Sequence, residues 1–317
     1  MIVRWGPARL GPFLAELELG QPFVVAGERW HRLLDFQHAG AWTQVPAEHV
    51  DVPATARSLV AIGGGSAIDT AKAASAATGL PLVCVPTTYS GAEWPPSFGV
   101  RTPSREIVGG GTGANTVAIL YDVDLTLDLP RSLTVGTALN ALAHCAEALY
   151  GRRTERSDAV AVEGAALIAR WLPRVVETPS DRGARDGLLH GAAAAGEALA
   201  LAGLALAHAM AQALGGTYGL PHGAMNALTL APALRYNAAV VPEAIAEFGR
   251  AIGAEADPAA RVETLALLAG FERLREFGVP ESDLARVAVA AAGRTGNKQN
   301  PKPATATEIE GLLRSVY

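Results

Sequence analysis

The sequence predicts an α/β domain built on a parallel sheet, followed by an all-helical domain. Two observations lead to this fold class. The first part of the chain alternates short β-rich runs with helical patterns, which is typical of parallel strands joined by helical crossovers. After Pro130, nearly every segment has a helical pattern interrupted by Gly or Pro. The 317 residues are enough for two domains, which we expect at residues 1–130 and 131–317.

The strands of the first domain can be assigned in order. Residues 23–26, 58–62 and 82–85 are β-rich, and the Ala-rich residues 66–78 between the last two have helical spacing. This strand, helix, strand unit implies a parallel sheet with a right-handed crossover.

Three further segments complete the assignment of the first domain. Residues 98–100 and 117–121 are interpreted as the two arms of an extended excursion around a turn-rich segment. Residues 42–45 are interpreted as the second strand. Only residues 46–57 separate that strand from the next, so its crossover helix must be minimal or absent.

The second domain is expected to consist of helices, starting at a boundary near residues 129–132. The expected helices lie at about residues 134–150, 157–176, 183–202, 205–214, 222–236, 242–252, 258–277, 281–292 and 306–316.

Composition excludes several classes of protein. With 50% hydrophobic and 18% charged residues, the chain is not disordered. A net charge of -5 without a long basic run argues against a nucleic-acid partner. Cys84 and Cys145 cannot form a disulfide framework, and the N-terminus lacks a signal-peptide pattern, so we expect a cytoplasmic protein.

Residues 198–234 contain no Asp, Glu, Lys or Arg and are long enough to span a membrane. They are mostly Ala and Gly, however, and include histidines, amides and prolines that are costly in hydrocarbon. We interpret them as two buried helices and expect no membrane partner.

A glycine run stands where a predicted strand meets a predicted helix. In Gly63-Gly64-Gly65-Ser66, the glycines let backbone N–H groups approach a phosphate, and the helix N-terminus supplies about half a positive charge. A tight turn without a ligand is the alternative. The spacing fits neither of the two common glycine-rich phosphate motifs, nor the nucleophile elbow of serine hydrolases.

Hydroxyl side chains follow the next predicted strand. Thr87, Thr88 and Ser90 would stand at the carboxyl end of a parallel strand, where open α/β sheets bind ligands. A polar loop without a ligand is the other interpretation.

Polar side chains recur at helical spacing in the apolar second domain. Asn140 and His144 share one helix face, His208 and Gln212 repeat the spacing, and His222 follows. Buried polar groups need partners, so we expect these side chains to converge on one site. Only histidine is a strong metal ligand here, which argues against a tight site for a divalent cation.

Together these motifs resemble the iron-containing alcohol dehydrogenase superfamily, and most closely its maleylacetate reductase branch. The resemblance rests on Gly63-Gly64-Gly65-Ser66 with Asp69 and Lys72, Pro86-Thr87-Thr88, Asn140 with His144 and Glu147-Ala148-Leu149-Tyr150, His208 with Gln212, Leu220-Pro221-His222-Gly223, and Asn300-Pro301-Lys302-Pro303. It implies a dehydroquinate synthase-like, iron-type alcohol dehydrogenase architecture, with a nucleotide-binding α/β domain before a helical domain. Compared with that family, the nucleotide-binding domain of this chain is expected to be trimmed.

The resemblance also implies a cofactor and the residues that bind it. NAD(H) or NADP(H) is expected to contact Gly63, Gly64, Gly65, Ser66, Asp69, Lys72, Thr87, Thr88 and Ser90. The choice between the two cofactors stays open, because Glu28 could bind a ribose hydroxyl and Arg29 could bind a 2′-phosphate. The family's metal-ligand positions are taken as Asn140, His144, Gln212 and His222. Asparagine and glutamine replace two ligands there, so no metal is expected.

The implied function is an NAD(P)H-dependent reduction of a small unsaturated or oxo acid by a metal-independent homodimer. His208 and His222 are candidates for supplying the proton, with His144 as an orienting partner. Arg153 and Arg235 could meet a substrate carboxylate, although no motif supports them. Two alternatives remain: a non-redox biosynthetic or binding member of the superfamily, and a metal-dependent alcohol dehydrogenase.

Overall fold

The computed structural model describes residues 1–317 and divides the chain into two compact units. The sheet unit comprises Met1–Thr88 and Ala92–Asp128, and the helical unit comprises Tyr89–Gly91 and Leu129–Tyr317. The first unit has the predicted α/β character and the second is mostly helical, so the predicted fold class is confirmed.

The sheet unit is built on six parallel strands in the order β1-β8-β5-β4-β2-β3. These strands are β1 (Ile2–Trp5), β2 (Pro22–Ala26), β3 (Gly40–Trp42), β4 (Ser58–Gly63), β5 (Leu82–Pro86) and β8 (Thr116–Tyr121). A separate antiparallel hairpin contains β6 (Phe98–Arg101) and β7 (Ile107–Gly111). The helices of the unit are α1 (Leu10–Glu16) and α2 (Gly65–Thr78).

Strands β2, β4 and β5 are buried along their whole length. Their nearly continuous apolar runs are typical of parallel strands that are covered on both faces. Leu10, Phe13 and Leu14 of α1 belong to the core cluster on this sheet. The carboxyl ends of β4 and β5 are thereby held side by side, with Gly63 paired to Pro86.

The interpretation of residues 98–100 and 117–121 as two arms of one excursion was wrong. Residues 117–121 lie in β8, whose last four residues are buried and which pairs with β1 and β5 inside the main sheet. Strand β6 pairs instead with the glycine-rich β7. The strand predicted at residues 42–45 is also shorter and begins earlier, because it corresponds to β3. No helix lies between β3 and β4, which agrees with the short spacing between these strands.

The helical unit contains ten α-helices. They are α3 (Arg131–Tyr150), α4 (Glu155–Glu177), α5 (Arg182–Ala202), α6 (Leu206–Tyr218), α7 (His222–Ala238), α8 (Pro242–Ala251), α9 (Pro258–Ala266), α10 (Leu284–Ala292), α11 (Thr295–Gln299) and α12 (Ala306–Ser315). Helix α3 is buried on nearly all sides from Thr134 onward and forms the centre of the unit. The predicted helix at 258–277 was too long, because α9 gives way to 3-10 turns around the left-handed Gly270.

The uncharged residues 198–234 run through the end of α5, all of α6 and most of α7. No single helix is both long and apolar enough to cross a membrane, and only α5 and α6 taken together, bent by 100°, meet those criteria of length and composition.

Candidate active site

The glycine run of the sheet unit forms the junction between β4 and α2. Gly63 has φ +153°, and a Cβ there would fall 2.8 Å from the Cβ of Ala67. A Cβ on Gly64 would fall 2.7 Å from Cγ2 of Thr88. Gly64 is the N-cap of α2, no side chain caps this end, and the first turn contains no acidic residue. The junction therefore offers backbone N–H groups to an anion, and it fits the pyrophosphate of a dinucleotide.

Thr87 and Thr88 stand next to this junction. The Thr87 amide donates to the Gly63 carbonyl at 3.0 Å, which fixes the end of β5 against the end of β4. The Thr87 hydroxyl is buried and has no hydrogen-bond partner in the protein. A buried hydroxyl without a partner is uncommon, and a bound ligand would supply the missing partner.

Asp69 and Lys72 of α2 are occupied within the protein. Lys72 is 1% exposed, and its Nζ donates to the Ala92 carbonyl at 2.8 Å and lies 3.8 Å from Oδ1 of Asp69. Asp69 Oδ2 accepts from Gly99 N at 3.3 Å and from Arg101 Nη1 at 3.2 Å. Burial lowers the pKa of Lys72 and raises the pKa of Asp69. These two side chains tie α2 to Ala92, in the segment after β5, and to strand β6.

A buried carboxyl group, Glu93, lies in the same segment. Its Oε1 accepts from the Tyr121 hydroxyl at 2.6 Å, and Tyr121 in turn accepts from Nε1 of Trp94 at 2.9 Å. Burial raises the pKa of Glu93, because desolvation disfavours its charged form. Sequence reasoning assigned no role to Glu93, whose contacts hold the chain after β5 onto β8.

The helical unit brings three histidines together. The rings of His144 from α3 and His208 from α6 are stacked, with centroids 4.6 Å apart and planes 14° from parallel. The His222 ring, at the start of α7, lies 5.8 Å from His208 at 49°. His144 and His208 are buried, whereas His222 is partly exposed. Helix α3 and the consecutive helices α6 and α7 thus converge on one polar site within an apolar helical core.

Asn140 occupies the centre of this cluster. Its Nδ2 donates to the Ser90 carbonyl at 3.0 Å, and its Oδ1 accepts from Nδ2 of Asn226 at 2.8 Å and lies 3.3 Å from Nε2 of His208. Because a carbonyl can only accept, Ser90 determines which way the Asn140 amide points. Asn226 Nδ2 also lies 3.1 Å from Nε2 of His222. The backbone carbonyl of Ser90, a residue expected to bind the cofactor, thus also contacts the histidine cluster.

The side chain of Glu147 orients the His208 ring. Its Oε2 lies 2.7 Å from Nδ1 of the ring, and its Oε1 accepts from the backbone N–H of His208 at 3.0 Å. Both side chains are 1% exposed. A carboxylate on one ring nitrogen fixes the orientation of the ring and the position of its proton. Sequence reasoning missed this role, although the spacing of Glu147 from His144 on α3 places both on one helix face.

Gln212 has different contacts. Its Oε1 lies 3.5 Å from Nη1 of Arg294, and its backbone carbonyl accepts from Nη2 of Arg294 at 3.0 Å. No hydrogen bond joins its side chain to the histidines, so among the described contacts it is His208 that accompanies Asn140, His144 and His222. Spacing along α6 could not separate these two neighbours, because both point to the same side of the helix.

The donor groups as they stand do not fit a divalent cation. No group of three or more His, Cys, Asp or Glu side chains is arranged to hold a metal ion. The Asn140 side chain carries no charge, and a neutral amide oxygen is a weak ligand for a transition-metal ion. Burial, followed by the neighbouring His208 and His222, holds the pKa of His144 well below its usual value. His144 is therefore a neutral member of the cluster.

Comparison with known proteins extends this picture over nearly the whole chain. Residues 44–121 match the family described as iron-containing alcohol dehydrogenase, and residues 134–317 match its C-terminal part. A maleylacetate reductase of Sphingobium indicum is 38% identical over 277 residues, which cover 85% of this chain and 78% of that protein. Maleylacetate reductase 1 of Rhodococcus opacus is 34% identical over 288 residues, covering 89% and 80%.

A solved structure agrees in fold. The maleylacetate reductase of Agrobacterium tumefaciens superimposes with a TM-score of 0.87 at 28% identity, covering 100% of this chain and 95% of that one. The matched regions include the glycine run and the histidine cluster described above. The chain therefore belongs to the iron-containing alcohol dehydrogenase family, in its maleylacetate reductase branch, and is an NAD(P)-dependent oxidoreductase.

Proposed function

We propose that the protein reduces a small unsaturated oxo acid, with maleylacetate as the first candidate, using NADH or NADPH and no bound metal. The observation that carries this proposal is the cluster of three histidines around a neutral asparagine. Asn140 stands where a carboxylate would have favoured a cation, and its amide accepts hydrogen bonds from Asn226 and faces His208. The similarity to maleylacetate reductases supports the choice of substrate.

The cofactor would be held at the glycine run. Backbone N–H groups from Gly64 to Ser66 would bind the pyrophosphate, and the hydroxyls of Thr87 and Thr88 would face the bound nucleotide. Asp69 and Lys72 would support this loop from within α2 rather than touch the phosphates, since both are engaged inside the protein. When bound, the nicotinamide supplies a hydride.

The protein's own contribution to the chemistry would be a proton. Addition of hydride to a carbon–carbon double bond conjugated with an oxo group pushes the electron pair toward that oxygen and leaves an enolate, which must be protonated at carbon. We assign this step to His222, the one ring of the three that is partly exposed. His208, held by Glu147, and the neutral His144 would keep the Asn140 amide and the neighbouring rings in position.

The test is turnover of maleylacetate by the purified protein with NADH and, separately, with NADPH, followed by nicotinamide absorbance. We expect oxidation of the cofactor that is unaffected by prior treatment with a chelator, and a metal content far below one ion per chain. A stoichiometric divalent ion with activity lost on chelation would favour the metal-dependent alternative. Failure to bind either nucleotide would favour the non-redox alternative.

We further propose that the protein is a homodimer in the cytoplasm. The edge strand β1 leaves Ile2 47% and Val3 36% exposed, which is the kind of apolar edge that pairs with another chain. Cys84 and Cys145 are both buried and unpaired, as expected in a reducing compartment. Light scattering of the purified protein should give twice the mass of the chain, and a monomer at all concentrations would contradict the first point.

A further inference from the structure

A half-buried arginine, Arg294, stands at the start of α11 with its charge unneutralised. Its contacts within the protein are hydrogen bonds to the backbone and side-chain oxygens of Gln212. A guanidinium carries five N–H donors, and only two of those of Arg294 are used in these hydrogen bonds. Its Nε is buried without a partner, and burial lowers the pKa of the group with no acidic neighbour to offset it. A cation in this state is costly unless an anion joins it.

The arginines that the sequence suggested for a substrate carboxylate are in a different situation. Arg153 is paired with Asp158 at 2.8 Å and with Glu247 at 2.7 Å. Arg235 is paired with Glu263 through both of its terminal nitrogens. Their charges are already matched by carboxylates of the protein. Arg294 takes part in no ion pair within the protein, which leaves it able to bind an external carboxylate.

The position of Arg294 connects it to the histidine cluster. Gln212, which holds it, follows His208 by one turn on α6 and points to the same side of that helix. One turn corresponds to a rise of about 5–6 Å along the helix axis. The residue that Arg294 contacts therefore lies about one turn along α6 from His208, on the same helix face. A small acid beside the histidines would extend its carboxylate over that distance.

We propose that Arg294 binds a carboxylate of the substrate and that Gln212 positions the guanidinium for it. A neutral amide suits this role, because it accepts hydrogen bonds from the arginine without cancelling its charge. The planar fork of the guanidinium matches a carboxylate with two parallel hydrogen bonds. The identity of the acid rests on the proposed function, whereas the binding of a carboxylate at this position does not.

The first experiment compares kinetics of Arg294→Met, Arg294→Lys and wild type with maleylacetate. We expect Arg294→Met to raise KM about 10- to 100-fold, the range for a lost hydrogen-bonded charge pair, with a smaller change in kcat. Arg294→Lys should recover part of the loss, because it restores the charge without the fork. Arg235→Met is the matched control, since that arginine is paired with Glu263, and its KM should equal that of wild type.

The second experiment measures binding rather than turnover, with maleate as the probe, by calorimetry in the presence of NAD⁺. Wild type should bind maleate, and Arg294→Met should bind it at least about tenfold more weakly. Gln212→Glu should also weaken maleate binding, because the new carboxylate would pair with Arg294 in place of maleate. Neither substitution should change the Kd for NADH, and this unchanged Kd also shows that each variant is folded.

The outcomes separate this proposal from the proposed function. Binding of maleate that depends on Arg294, in a protein that does not reduce maleylacetate, would leave the carboxylate site standing and refute the assigned reaction. Equal maleate binding by Arg294→Met and wild type, or no binding by wild type, would overturn the carboxylate site. If Arg294→Met loses as much affinity for NADH as for maleate, the carboxylate site is also overturned. The guanidinium would then be assigned to a phosphate of the nucleotide.

Discussion

Replacing Gly64 with alanine tests the glycine run with the least disturbance of the backbone. Gly64 has φ -83° and ψ -171°, an extended conformation that alanine adopts freely. The added Cβ would lie 2.7 Å from Cγ2 and 3.2 Å from Oγ1 of Thr88, whereas ordinary contacts begin at 3.4 Å. The methyl group must displace the Thr88 side chain, and overpacking of this kind costs about 1–3 kcal/mol.

The Thr88 side chain that this methyl group displaces is one that we expect to face the bound nucleotide. We therefore expect Gly64→Ala to weaken NADH binding by at least about tenfold, which corresponds to about 1.4 kcal/mol. The free energy of unfolding should fall by about 1–3 kcal/mol. Fluorescence titration with NADH gives the first quantity and urea denaturation the second. Gly20→Ala is the matched control, since a Cβ there meets nothing within 4 Å.

One result would refute this reasoning. If Gly64→Ala is destabilised as expected but binds NADH with the wild-type Kd, the close approach of Gly64 to Thr88 serves packing alone. The glycine run would then be a tight junction between strand and helix, and the nucleotide would have to bind elsewhere. The control variant should match wild type in both measurements.

Three further predictions concern the helical unit. Glu147→Gln removes the charged partner of His208, and we expect it to lower both kcat and the free energy of unfolding, the latter by about 1.5–3 kcal/mol. An unchanged kcat would show that Glu147 does not position His208 for catalysis. Gly223→Ala should lower the thermal stability more than Gly64→Ala does, because its Cβ would fall 2.5 Å from a backbone carbon of Gly136. A melting temperature equal to that of wild type would contradict this close approach of the two helices. The pKa of Glu308 is lowered from 4.5 to about 2, mainly by a hydrogen bond with a lysine. The charged form of Glu308 therefore stabilises the fold above pH 4.5, and this stabilisation disappears as the pH falls toward 2. Thermal unfolding of wild type and Glu308→Gln should therefore differ at neutral pH and converge in acid, and a constant difference would show that charge is not the cause.

Sequence reasoning located the strands that are buried from end to end, because a continuous apolar run between turn residues is a strong local signal. It missed β1 and α1, because a four-residue strand with three exposed residues and a helix of two turns carry little periodicity. It also misplaced residues 117–121, since the pairing of β8 with β5 depends on contacts between distant parts of the chain that no local pattern records.

The candidate site was predictable to the extent that residue type alone is informative. Histidines in an apolar domain need hydrogen-bond partners when they are buried, and this requirement predicted that they converge on one site. The sequence assigned no role to Glu147 beyond the family resemblance, because a single glutamate in a long helix is usually solvent-exposed, and only the packing around α3 shows it to be buried. Arg294 had no signal at all, because its significance lies in the carboxylate that is absent from its surroundings.

The three residues Tyr89–Gly91 make the helical unit discontinuous in sequence. The Tyr89 amide donates to the Thr137 hydroxyl at 3.3 Å, its own hydroxyl accepts from Arg185 at 3.2 Å, and the Ser90 carbonyl fixes Asn140. The histidine cluster therefore cannot reach its final arrangement from residues 129–317 alone. A fragment covering those residues would lack the acceptor that orients the Asn140 amide, and the ribosome delivers that acceptor well before the helices that use it. Any fragment meant to preserve the cluster must therefore include Tyr89–Gly91.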